Sequence, residues 1–365
     1  MTTGTWLRLA AGWASVATFL TIGASWLAGL SSPLLAAGLF AWLLGVIIWL
    51  AFGVVHEAEE LAHRLGEPFG TLILTLAIVI IEVALISAVM LGAKEAPTLG
   101  RDTMFAVLMI VLNGVVGLGL LVGGLRHREQ SYNLQGATAY LGVMIPLSVI
   151  ALVLPNFTTS TPDGSLTPVQ AGFFSLFTLL LYGIFLWLQT GRHSGFFIDP
   201  TEVEAPRLAG PPQRRGAVLP HVGLLLATIL PIVILAKSLA AVLDYEIAVL
   251  GAPSALGGVL IAMVVFTPEG LSALRAVAAN QLQRAVNLCL GAATSTLGLT
   301  VPAVLMIGLL TGQTVVLGLS PTNMVLLATT LILSGLTFSG PRTTMLEGAV
   351  HITLFAVFMV LIFSP

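Results

Sequence analysis

The chain has 365 residues, of which 57% are hydrophobic and only 8% charged, against roughly 25% charged in soluble domains. No soluble packing arrangement hides that much apolar surface, so the composition points to a polytopic membrane protein. A net charge of −2 says nothing about partners, and one cysteine, Cys289, excludes a disulfide framework or multi-cysteine metal site.

Residues 9–55 carry no charged side chain and no small-residue cleavage site, so the first apolar segment reads as a retained span. Candidate spans run near 6–28, 34–55, 70–91, 103–124, 136–155, 168–189, 219–243, 253–277, 285–309, 315–338 and 347–363. Each reaches or approaches the ~20 apolar residues that cross ~30 Å of hydrocarbon, and helices are the expected spanning form. Of the 14 basic residues, all but Lys94, Arg101 and Lys237 fall on one side of this threading. The positive-inside rule then sets the N-terminus in the cytoplasm and the C-terminus outside, in the cell membrane.

The polar stretch 190–218 is rich in Pro and Gly and reads as a flexible cytoplasmic linker. Its Arg192, Arg207, Arg214 and Arg215 act as topology anchors and do not form a nucleic-acid site. On either side the chain repeats itself weakly. Residues 103–124 resemble 285–306; aligning Gly117-Leu118 with Gly298-Leu299 sets Asn113 opposite Thr294. The expected fold is all-α, with about 11 transmembrane helices. Residues 1–33 form an extra N-terminal helix, 34–189 a first five-helix repeat, and 219–365 a second. Five is odd, so the second repeat is inverted, as in alternating-access transporters.

Glu269 lies inside an apolar run, where a charged carboxylate costs about 2.5–3.5 kcal/mol on insertion scales. Pro268 beside it has no N–H for a carbonyl one turn earlier. An ionisable oxygen near freed carbonyls suits a hard cation, whereas the plain alternative is a Pro kink with a tolerated acid. Glu82 is twelve residues past Gly70, roughly 18 Å along a helix and close to mid-bilayer. Among Ile78, Val79, Ile80, Ile81, Val83 and Ala84 it needs a proton or a cation to neutralise it, and competition between the two is the basis of exchange. A lone protonated Glu bridging helices is the alternative. Asn113, Thr267, Thr294, Ser295 and Thr296 offer neutral oxygens to a cation, or equally hydrogen bonds between helices.

The remaining polar groups read more plainly. Residues 56–63 are acidic with two histidines, but Glu60 breaks HExxH spacing; a solvated helix terminus is expected, a pH-sensing patch less so. Residues 125–130 anchor a helix end. Glu347 and His351, one turn apart, read as a structural pair. Gly119 and Gly123 form a packing motif.

Several stretches resemble the ChaA-type calcium/proton antiporters. They are Gly66-Glu67-Pro68-Phe69-Gly70-Thr71-Leu72-Ile73-Leu74, Asn113-Gly114-Val115-Val116-Gly117-Leu118, Gly123-Gly124-Leu125-Arg126-His127-Arg128-Glu129-Gln130, Pro268-Glu269-Gly270-Leu271 and Ala279-Asn280-Gln281-Leu282-Gln283-Arg284-Ala285-Val286-Asn287-Leu288. The likeness runs from about residue 56 to the C-terminus. It implies membership of the cation/calcium exchanger superfamily, in which each repeat contributes an acid that binds and releases the cation. By position those acids are Glu82 and Glu269, and Asn113 and Ser295 fall near the polar places on the following helices. Where the superfamily shows Gly-Asn-x-x-Glu, this chain has Val79-Ile80-Ile81-Glu82 and Thr267-Pro268-Glu269, so calcium, sodium and potassium all stay open. The expected activity is secondary cation/proton antiport, the export of calcium for protons by alternating access at a midplane two-glutamate site, with sodium or potassium as the alternative ion. No cofactor is expected beyond the transported cation and proton, and the lipid bilayer forms the surroundings. A membrane-embedded hydrolase is the competing class; no nucleophile–base pair or zinc triad supports it.

Overall fold

The computed structural model describes residues 3–65, 69–91, 96–199 and 218–364. Helices dominate: α1 (Thr3–Thr21), α2 (Gly23–Ala28), α3 (Pro33–Leu65), α4 (Phe69–Met90), α5 (Leu99–Leu108), α6 (Val116–His127), α7 (Leu134–Ser148), α8 (Pro168–Trp187) and α9 (Val218–Leu250) come first. After them come α10 (Ala255–Ala278), α11 (Leu282–Ser295), α12 (Val301–Thr311), α13 (Pro321–Thr337) and α14 (Met345–Phe363). Among the described residues eight helical stretches are long and apolar enough to span, and Leu76–Ala88 and Pro321–Thr337 are shorter apolar helices. Residues 66–68, Lys94 and most of the 190–218 linker lie outside the described residues.

Contacts divide the chain into two compact units: Met1–Leu99 with Pro211–Pro268, and Gly100–Gly210 with Glu269–Pro365. Each unit draws on both halves of the chain, so the compact units cut across the expected repeats.

In the first unit α3 packs on α9 and α4, and α1 lies against α3 and α9. Leu43, Ile47 and Leu50 on α3 and Leu85 and Ile86 on α4 are fully buried. Glycine allows the closest approaches: a Cβ on Gly12 would stand 2.8 Å from Leu50 Cδ2, and one on Gly53 would stand 2.5 Å from Arg8 Nη1. The segment 56–63 forms the last turns of α3, which runs to Leu65, and it is solvated only in part. His56 is exposed, but Glu57 is buried on the face it shares with Leu61, and His221 Nδ1 on α9 lies 2.8 Å from its Oε2.

In the second unit α5 and α6 are joined by a π segment, Met109–Val115, and α11 and α12 by another, Thr296–Thr300. Pro302 cannot donate to the carbonyl of Gly298, which gives the second widened turn a covalent cause; the first contains no proline. Helix α14 packs along α6 so tightly that a Cβ on Gly348 would stand 2.4 Å from Leu121 N. A two-residue ribbon pairs Gln130 with Thr343 and Ser131 with Arg342. Beside it Tyr132 donates to Gly340 O. Burial, with Glu347 adding to it, pushes that phenol up to about 12, so it stays a neutral donor at physiological pH. Gln130 Nε2 donates to Val277 O (3.1 Å) and Asn280 Oδ1 (2.9 Å). The motifs 123–130 and 279–288 are therefore physically joined and anchor two helix ends.

Candidate functional site

Each acid singled out from the sequence is buried. On α4, Ile78, Ile81, Leu85 and Ile86 turn inward at helical spacing while Leu76 and Ile80 are exposed. Glu82 shares the inward face and is 1% exposed. Glu269 belongs to the second unit, is 5% exposed and lies within electrostatic reach of Cys289 on α11. Helix α10 runs unbroken through Pro268. Among the described residues the other buried acids are Glu57 and Asp102. Both have a basic partner, His221 at 2.8 Å and Arg101 at 2.9 Å.

The neutral candidates divide into two kinds. Thr267, half-buried, donates its hydroxyl to Met263 O at 2.5 Å. Thr294 donates to Leu290 O at 2.7 Å, and Ser295 to Ala292 O at 2.9 Å. A hydroxyl that gives its proton to its own helix presents only lone pairs to its surroundings, which is what a cation meets. Thr294 and Ser295 stand just before the second π segment, a feature frequent at functional sites.

Asn113 differs. It sits in the first π segment with no exposed surface. Its Nδ2 donates to Thr330 Oγ1 at 2.8 Å, and its Oδ1 lies 2.9 Å from Nδ1 of His351. The other ring nitrogen of His351 is 3.0 Å from Thr337 Oγ1. Glu347 serves elsewhere, closing a capping box with Thr344 at the start of α14. Glu347 and His351 still act on each other electrostatically, but the hydrogen bonds of His351 belong to a buried network centred on Asn113. The signal that could have found it is an ionisable ring one turn and more inside an apolar span. No group of three or more His, Cys, Asp or Glu side chains able to hold a metal occurs among the described residues.

Residues 35–191 and 220–364 match the family described as sodium/calcium exchanger protein. The chain belongs to that family. The y4hA protein of Sinorhizobium fredii is 41% identical over 322 residues, covering 88% of this chain and 87% of its own length. The sodium-potassium/proton antiporter ChaA of Escherichia coli is 39% identical over 322 residues, 87% of each chain. Among solved structures, YfkE aligns with a TM-score of 0.73 at 19% identity, over 99% of this chain and 100% of that one. The H+/Ca2+ exchanger CAX aligns with a TM-score of 0.68 at 15% identity, over 98% and 89%. The resemblance read from the motifs holds. The chain has the all-α, multi-span exchanger fold and is a secondary cation antiporter, not an enzyme.

Proposed function

We propose that the chain exports a cation from the cell in exchange for protons by alternating access, with calcium as the cation and Glu82 and Glu269 as the exchanging carboxylates. The reading rests above all on the burial of these two acids, one in each compact unit, inside apolar helices. Oxygens of Asn113, Thr267, Thr294 and Ser295 complete the coordination. Sodium or potassium is the second reading: ChaA, at 39% identity, is named for those ions, whereas the H+/Ca2+ exchanger CAX shares 15%. The orientation that goes with it has eleven spans in the cell membrane, the N-terminus inside and the C-terminus outside. The linker 190–218 is cytoplasmic and joins two inverted five-helix repeats, 34–189 and 219–365.

Charge sets the stoichiometry. Two carboxylates with one calcium sum to zero, as do two protonated carboxyls, whereas the empty ionised site costs several kcal/mol to occlude. Exchange is therefore electroneutral, one calcium for two protons. Glu82→Gln and Glu269→Gln should each abolish calcium-dependent proton movement in everted vesicles while folded protein stays in the membrane. Near-normal exchange by either variant would remove that residue from the site.

A further inference from the structure

We propose that His351 is a positioning residue for cation binding. Through Nδ1–H it holds the carboxamide of Asn113 oxygen-outward from Thr330, so that the oxygen, not the nitrogen, is presented as a ligand. The inference deepens the two-carboxylate reading above and rests on it.

The hydrogen bonds fix a direction. Thr330 Oγ1 lies 2.8 Å from Leu326 O, one turn back on α13, and 3.5 Å from Met109 Sδ, and its single proton goes to one of these acceptors. Thr330 must then accept from Asn113, so the amide nitrogen points to Thr330 at 2.8 Å. That leaves Oδ1 toward His351 at 2.9 Å. An amide oxygen only accepts, so His351 Nδ1 carries the proton. In the neutral ring Nε2 then accepts from the Thr337 hydroxyl at 3.0 Å. One lone pair of Oδ1 is taken by His351 and the second is left for a cation.

The clamp has little slack. Asn113, Thr330 and His351 have no exposed surface and Thr337 is 3% exposed. Gly117, one turn after Asn113, meets the backbone that carries the imidazole: a Cβ there would stand 2.8 Å from His351 Cβ and 3.0 Å from Ile352 N. Among the described residues the charged side chain that acts on the ring is Glu347, from its own helix; α13 and the π segment carry none, and the basic groups of α6, Arg126 and His127, stand in its last turn. Without His351 the carboxamide could turn its N–H₂ where the oxygen had been, and an N–H₂ repels a cation. Removing such outer partners typically weakens metal binding about 10–100-fold.

The test compares side chains that place an N–H differently. Asn carries its amide nitrogen near the place of Nδ1, whereas Gln reaches toward Nε2. Purified His351→Ala, His351→Asn and His351→Gln are reconstituted, with calcium and then sodium as probes and an internal pH dye as readout. His351→Ala should raise the cation KM about 10–100-fold with kcat within about threefold of wild type. His351→Asn should return KM to within about threefold of wild type, and His351→Gln should stay with Ala. Thr337→Val, nearly isosteric, keeps the test alive if Ala does not fold; freeing the tautomer should raise KM several-fold. An unchanged KM in Ala or Thr337→Val overturns the proposal, as does a fall in kcat alone, or loss that follows folded protein irrespective of side chain. Glu82→Gln is assayed alongside. Its inactivity with a flat His351 series sinks the positioning role alone, whereas its retained exchange sinks the two-carboxylate reading beneath it.

Discussion

Two stretches of one compact unit, Leu99–His127 and Leu282–Thr311, are each helical with a π segment in the middle, yet they spend their buried polar atoms differently. Around the first π segment, Asn113 bonds outward, to Thr330 on α13 and His351 on α14. Just before the second, Thr294 and Ser295 bond back into their own helix. The glycines Gly117 and Gly298, beside the first π segment and in the second, differ in the same way. Gly117 meets the α14 backbone near His351 and Ile352, whereas Gly298 meets the ring of Tyr182 on α8. Two segments with the same helix–π–helix backbone can thus differ, one tying its buried amide to two other helices and the other bonding the hydroxyls of Thr294 and Ser295 within its own helix.

The sharpest way to break this comparison is Gly117→Ala. The added methyl meets His351 Cβ and Ile352 N, neither of which can rotate away. Overpacking of this kind costs about 1–3 kcal/mol; we expect the upper end, read as a lower thermal midpoint in detergent. An unchanged midpoint would mean that α14 is not held by this contact.

A smaller effect is expected of Thr330→Val. It leaves the Asn113 amide nitrogen with Met109 Sδ at 3.6 Å as its acceptor, and hydrogen bonds between membrane helices average about 0.6 kcal/mol, reaching about 1.7. Stability should fall by about 1 kcal/mol, and the cation KM should rise because the amide loses its shortest anchor. Thr294→Val sharpens the contrast from the other side. Its hydroxyl bonds only within its helix, so stability should move by less than about 0.5 kcal/mol. If Thr294 is a ligand, its KM should nonetheless rise at least tenfold. Thermal midpoints and transport kinetics on the same preparations would show whether the two positions split in this way; equal stability losses would erase the distinction.

The smallest effect is expected at Arg342, whose guanidinium lies 2.8 Å from Glu129 with both side chains more than half exposed. Arg342→Gln should change the midpoint by no more than a few tenths of a kcal/mol, as exposed pairs do. A drop comparable to that of Thr330→Val would show that the ribbon, and not the Asn113 network, secures α14.

Much of the candidate site was legible in the sequence because its signals are local. Glu82 and Glu269 stand out since a carboxylate in an apolar run is costly wherever the run packs, and both are buried. The motifs at 123–130 and 279–288 were visible as patterns, but their contact through Gln130 and Asn280 was not. The pairing of Glu347 with His351 was legible at i,i+4 spacing and persists as an electrostatic interaction. The hydrogen bonds of His351 to Asn113 and Thr337 were not legible, and Glu347 closes a capping box with Thr344. Glu57 was misread because a charge-rich stretch looks solvated until the partner, 164 residues away, is known.

By itself the sequence determined the membrane class, the family and the two buried acids, because each follows from composition, local motifs or the cost of charge in hydrocarbon. Only the tertiary structure decided which polar side chains bond between helices and which stay within one. It also decided that the compact units would draw on both halves of the chain. Asn113 and His351 are 238 residues apart, and no local propensity encodes a contact over that distance; it exists because close-packed glycines on α6 and α14 bring the two backbones together.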